Sequence, residues 1–169
     1  MMKRHLLIAL ILLLSISLFG CVSNRQETPA VIEETKLTVY ENTQYGFSFT
    51  LPESWKDYSI VNDKWEGLSI GNAQGEEIVE AGPIIVIRHP DWTEKNPRQD
   101  IPIMVFTLEQ WNLLQQEKFH IGAAPIGPNE LGRNDQYVFA LPARYNFAFP
   151  TGVEEVEDIL KGNPLQTKD

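Results

Sequence analysis

Apolar and polar positions alternate at Phe47-Ser48-Phe49-Thr50-Leu51, a period of two that puts three large side chains on one face of a half-buried antiparallel strand. Leu68-Ser69-Ile70 repeats the alternation ahead of Gly71-Asn72-Ala73-Gln74-Gly75, a turn-forming set. Ile84-Ile85-Val86-Ile87 and Tyr137-Val138-Phe139-Ala140-Leu141 are apolar at every position. Strands of that kind have both faces covered, which places these two centrally in a sheet. Tyr145-Asn146-Phe147-Ala148-Phe149 matches Tyr45-Gly46-Phe47-Ser48-Phe49 in pattern and reads as a second strand of the same alternating kind.

Two stretches switch to helical spacing. Thr107-Leu108-Glu109-Gln110 is a capping box, and Leu108, Trp111 and Leu114 follow it at intervals of three. Thr151-Gly152-Val153-Glu154 is a second box, followed by an apolar stripe of Val153, Val156, Ile159 and Leu160. Lys161-Gly162-Asn163-Pro164 then supplies a cation, a C′ glycine and a proline stop. Several strands and few helices, not in strict alternation, predict an α+β fold, mainly an antiparallel sheet flanked by two or more helices.

The N-terminus follows a different pattern. Lys3, Arg4 and His5 precede an unbroken apolar run from Leu6 to Leu14, the layout of an export signal. From Leu6 to Val22 a helix would reach roughly 25 Å, short of a hydrocarbon core of about 30 Å, so a permanent span is disfavoured. Residues 1–20 read as a signal peptide. Residues 21–36 are polar with one proline and read as a flexible tether, and residues 37–169 as one domain.

Leu18-Phe19-Gly20-Cys21 resembles the lipobox of bacterial lipoproteins. The resemblance implies cleavage between Gly20 and Cys21 and a diacylglyceryl group on the Cys21 thiol, whose two acyl chains give durable anchoring to the extracytoplasmic face of a membrane. Tyr40 to Trp55, an aromatic strand followed by Pro52 and Trp55, is similar to the opening of small envelope proteins with the PsbP/Mog1-like fold. That resemblance implies an antiparallel sheet with flanking helices and an accessory role toward another protein. It carries over no active site.

Charge narrows the partners. With 14 basic against 23 acidic residues the chain carries a net −9, which repels phosphate backbones, and no Lys/Arg cluster interrupts it. Nucleic acid is not expected as a partner. Cys21 is the only cysteine, so an internal disulfide is impossible and stability must come from packing. No cofactor is implied.

Candidate chemistry is sparse. Gly67-Leu68-Ser69-Ile70-Gly71 fits G-x-S-x-G, with Asp91 or Asp100 and then His120 in hydrolase order. The serine lies inside strand alternation and a polar turn follows, the wrong context for a nucleophile elbow. Arg88-His89-Pro90-Asp91-Trp92 gathers guanidinium, imidazole, carboxylate and indole at a strand end. This is the candidate ligand-binding group, and His89 with Asp91 is the pair a small hydrolase would use. After removal of residues 1–20 only His89 and His120 remain as histidines, too few for a zinc site without carboxylates, and no calcium-loop motif occurs. Trp55, Trp65, Trp92, Trp111, Tyr137, Tyr145 and Phe147 line either the core or a groove, with core favoured. Arg144 is read as a salt-bridged arginine, with an anchor for an anionic ligand as the alternative. The sequence thus predicts a lipid-anchored binding or accessory subunit. A small hydrolase and a purely structural envelope component are the alternatives.

Overall fold

The computed structural model describes residues 36–71, 75–122 and 126–168. The signal segment, Gly20, Cys21 and all but the last residue of the tether lie outside them. In chain order the elements are β1 (Leu37–Asn42), β2 (Phe47–Pro52), a 3-10 turn (Glu53–Trp55), β3 (Ser59–Ser69), β4 (Ile78–Arg88), β5 (Ile101–Thr107), α1 (Leu108–Gln115), β6 (Phe119–His120), β7 (Asn129–Arg133), β8 (Tyr137–Leu141), α2 (Val153–Lys161) and β9 (Leu165–Thr167). Six strands form one sheet in the order β6-β3-β4-β5-β8-β7, and three form a second in the order β1-β2-β9. Every pairing between named strands is antiparallel. The chain is therefore mostly β, with two α-helices among the described residues.

The large sheet divides the interior in two. Ile101, Ile103 and Val105 of β5 face a cluster with Phe139 and with Phe47, Phe49 and Leu51 of β2. Met104 and Phe106 of the same strand face the other way, onto Trp65, Trp111 and Phe119. Helix α2 contributes Val156 to the first cluster, and α1 contributes Trp111 to the second. A strand covered on both sides reads as a continuous apolar run, which is how β5 reads. Phe47, Phe49 and Leu51 are each at most 1% exposed, and burying a side chain of that size contributes roughly 1.5–3 kcal/mol.

Strands β4 and β5 are the two middle strands of the large sheet, and β8 lies next to β5. The expected coverage holds for β8, where Val138 to Leu141 are all buried. In β4 it holds on one face only, since Ile85 and Ile87 are buried while Ile84 and Val86 are half-buried. Proline at position 102 hid β5 in the sequence. It is tolerated because β4 pairs with Ile101 to Met104, whereas the β8 ladder begins only at Met104. A missing N–H on the β8 side there breaks no ladder bond. Strand β3 ends at Ser69 after a bulge at Gly67/Leu68, so Ile70 falls outside the strand and is 51% exposed. Strand β6 covers only Leu68 and Ser69 of β3.

Helix α1 carries the expected capping box in full: the Thr107 hydroxyl accepts from the Gln110 amide at 3.1 Å, and Gln110 Oε1 accepts from the Thr107 amide at 3.0 Å. The second box does not form. The N-cap of α2 is Gly152, with φ 86° and no side-chain cap. Thr151 is drawn instead into a parallel bridge with Arg98, its carbonyl accepting from the Gln99 amide at 2.8 Å. Glu154 and Glu155 in the first turn complement the positive end of the helix dipole in its place. At the other end Gly162 has φ −77°, and the left-handed residue is Asn163, with φ 49°. Asparagine is the usual substitute for glycine there.

Tyr145 to Phe149 is not a strand. Three successive turns close it, through bonds from the Tyr145, Phe147 and Phe149 amides to the Pro142, Arg144 and Asn146 carbonyls. Arg144, Ala148 and Phe149 all take positive φ.

Candidate functional site

Arg88 ends β4, and its guanidinium is engaged on two sides. It donates to both Asp100 oxygens, most closely from Nη2 to Oδ2 at 2.8 Å, and lies 3.9 Å over the Trp92 ring. The bidentate pair raises the Arg88 pKa further, as a charge-assisted fork does. A turn from His89 to Trp92, closed by the Trp92 amide on the His89 carbonyl at 3.0 Å, brings the indole back under the guanidinium.

His89 is 4% exposed and packs edge-on against Trp55, ring centroids 5.0 Å apart. Its Nδ1 accepts from the Asp91 amide at 3.1 Å, so that nitrogen carries no proton and the ring is neutral. Burial, followed by the nearby positive charge of Arg98, lowers its pKa; Glu155 and Asp91 oppose the shift. A catalytic histidine oriented by a carboxylate needs Nδ1–H pointing at that carboxylate. Here the Asp91 carboxylate stands 3.8 Å from an occupied Nδ1 and is itself exposed.

The residue that organises this end of the sheet is Glu155 on α2. Its Oε1 accepts from Ser54 Oγ at 2.7 Å and from Trp55 Nε1 at 3.2 Å, and its Oε2 accepts from Arg98 at 3.2 Å. One carboxylate thus joins the 3-10 turn, the segment before β5 and the helix. Sequence reasoning missed Glu155, Arg98 and Ser54. Glu155 lies 100 positions from Trp55, and nothing local marks the pair.

Arg144 is exposed on the loop after β8, and among the described residues no carboxylate lies within ion-pair distance of it. The expected salt bridge is absent. A left-handed backbone at φ 57° turns the residue outward, where it borders a groove with Tyr145, Asn146 and Glu157. Of the residues singled out from sequence, Arg88, His89, Asp91 and Trp92 do come together, but in contact with one another and with Asp100 and Trp55. Trp55, Trp65 and Trp111 are core and fall in two clusters on opposite faces of the sheet, so they line no common groove.

The G-x-S-x-G stretch is a hairpin. Ser69 exchanges bonds with Glu77, amide to carbonyl at 2.8 Å and hydroxyl from amide at 3.1 Å. His120 lies beside it, opposite Leu68. Arg88, next to His89, pairs with Ser59 at the far end of this eleven-residue strand, about 33 Å from Ser69 at ~3.3 Å per residue. Asp91, and Asp100 which pairs with Arg88, therefore form no triad with Ser69 and His120.

Among the described residues no group of three or more His, Cys, Asp or Glu is placed to hold a metal ion, and no helix is long and apolar enough to cross a membrane. Among the described residues the most exposed large apolar side chains are Phe147 at 77% and Phe149 at 75%, on the loop that carries Arg144. Comparison of the chain with family models, curated proteins and solved structures finds no match.

Proposed function

We propose that this chain is a membrane-anchored envelope lipoprotein whose folded part is a non-catalytic binding or accessory subunit for another protein. The observation that carries the anchor is the single cysteine, Cys21, directly after Gly20 at the end of an apolar export segment. Its lipid would hold the domain to the extracytoplasmic face through the polar stretch ending at Lys36. Support for the non-catalytic reading comes from the internal use of the Arg88 guanidinium and of His89 Nδ1, engaged by Asp100 and the Asp91 amide.

Support for a protein partner comes from Phe147 and Phe149. Two exposed phenylalanines on a turn-locked loop form an apolar projection, and the exposed carboxylate of Glu154 in the first turn of α2 follows it. The partner this fits presents an apolar pocket bordered by cationic side chains. The hairpin from Tyr40, the 3-10 turn holding Trp55, and helices on both faces of the large sheet favour a PsbP/Mog1-like arrangement.

Metabolic labelling with an alkyne fatty acid tests the anchor. The wild-type protein is expected in the membrane fraction with label, and Cys21→Ser soluble without it; wild type found soluble and unlabelled overturns the reading. A photocrosslinker at position 147 in intact cells tests the partner. One discrete protein adduct is expected, and none forming overturns this use of the loop.

A further inference from the structure

A polar cleft of about 460 Å³ opens between the β1–β2 turn and the β7–β8 turn, away from the Phe147 loop. Its two walls are fixed to each other by hydrogen bonds. Asn134 Nδ2 donates to the carbonyls of Tyr45 at 2.9 Å and Gly46 at 3.3 Å. The same side chain accepts, through Oδ1, from the amides of Gln136 at 3.0 Å and Tyr137 at 2.8 Å. The Lys168 amide donates to the Gly46 carbonyl at 2.8 Å. Gly46 has φ 73°, and a Cβ there would stand 3.0 Å from both Asn134 Nδ2 and the Lys168 carbonyl. Only glycine allows the walls this close. The cleft is thereby formed before any ligand arrives, which lowers the ordering cost of binding.

The lining has a consistent chemistry. Tyr45 and Tyr137, half-buried and edge-to-face at 5.3 Å, present ring surface. Gln44, Gln136 and Thr43 are exposed and offer both donors and acceptors. The one cation in the lining, Lys168, is paired with Glu41 at 3.3 Å, leaving Asp135 as the carboxylate without an ion partner among the described residues. An anion finds no free positive group here and meets Asp135. An apolar ligand would bury amides without partners, at about 1–3 kcal/mol for each group left unsatisfied. A ligand with many hydroxyls, an apolar ring face and no net charge satisfies all of these groups together.

We propose that this cleft binds a neutral oligosaccharide, with the tyrosine rings packing against sugar ring faces and Gln44, Asp135 and Gln136 hydrogen-bonding its hydroxyls. The assignment rests on the cleft's own side chains and is independent of the lipid anchor and the protein partner.

Titration calorimetry tests it, using the full-length protein in phosphocholine micelles, whose headgroups contain no sugar. Chitotetraose and cellotetraose are the probes, with oligogalacturonate as the anionic control. Saturable binding of at least one neutral probe is expected, weakened about tenfold in a Gln44→Ala/Gln136→Ala variant of unchanged melting temperature. Because both glutamines are exposed, this variant separates lost binding from lost folding. Absence of saturable binding for both neutral probes overturns the proposal, as does binding that the double variant leaves intact. Equal affinity for oligogalacturonate overturns the preference for neutral sugars.

Discussion

The indole of Trp65 lies across Gly82, its cross-strand partner in the β3–β4 ladder, so closely that a Cβ at position 82 would stand 2.6 Å from two atoms of the ring. The indole N–H donates to the Val105 carbonyl, one strand further on, at 2.9 Å. Continued by one residue, the β4–β5 register puts Pro83 opposite Val105, and proline has no N–H to give. Trp65 supplies the donor that the ladder lacks. Gly82→Ala is expected to destabilise the protein by about 1–3 kcal/mol through overpacking. Trp65→Phe should cost at least about 1–3 kcal/mol by leaving a buried carbonyl unpaired. Urea unfolding measures both, and an unchanged midpoint for either contradicts this account.

His89 sets a pH dependence. Its folded-state pKa lies below the ordinary value of about 6.5, so between the two values the unfolded chain holds a proton that the native chain lacks. Stability therefore falls as pH drops through about 6.5 toward the folded pKa, and the contribution is complete only above about 6.5. In His89→Asn, whose amide oxygen can still accept from the Asp91 amide, this part of the pH slope should vanish. Urea midpoints for both proteins between pH 7 and pH 5 check it, and parallel curves would count against a buried neutral imidazole.

Phe147 and Phe149 make little packing contribution, so Phe147→Ser with Phe149→Ser should shift stability by no more than ~0.5 kcal/mol. With the photocrosslinker kept at position 147, Phe149→Ser alone should weaken the crosslinked adduct. A large fall in melting temperature would mean that the loop serves the core and not a partner.

Asn163 holds the left-handed position after α2. Asn163→Ala is expected to cost about 1 kcal/mol, since Cβ strain at that backbone is not offset, whereas Asn163→Gly should be near neutral. Thermal melts of the two variants decide it, and the reverse order would place the helix stop elsewhere.

What the sequence revealed was local. The Thr107 box, the Phe47-Phe49-Leu51 face and the stripe on α2 depend on neighbours within a few positions, and each is found in the structure. Tyr145-Asn146-Phe147-Ala148-Phe149 carries the same alternation as the strand pattern at Tyr45, yet it lies between Pro142 and Pro150 and folds on itself through successive four-residue turns. Period alone does not distinguish the two cases. In the candidate site, the gathering of Arg88, His89, Asp91 and Trp92 followed from adjacency, but their partners Asp100 and Trp55, and the Glu155 carboxylate that fixes Trp55, come from other elements. Arg144 was expected to pair, and its fate was decided by backbone conformation, which composition does not encode.

Strand β2 has β1 on one side and β9 on the other, with Leu165 opposite Phe49. Its two neighbours are thus made at very different times. As the chain emerges from its N-terminal end, the early hairpin has one border open until residues far downstream arrive to close it. Folding is then delayed until nearly the whole described chain is out, and losing Leu165 to Thr167 would leave that border open for good, a ready template for joining one molecule to the next.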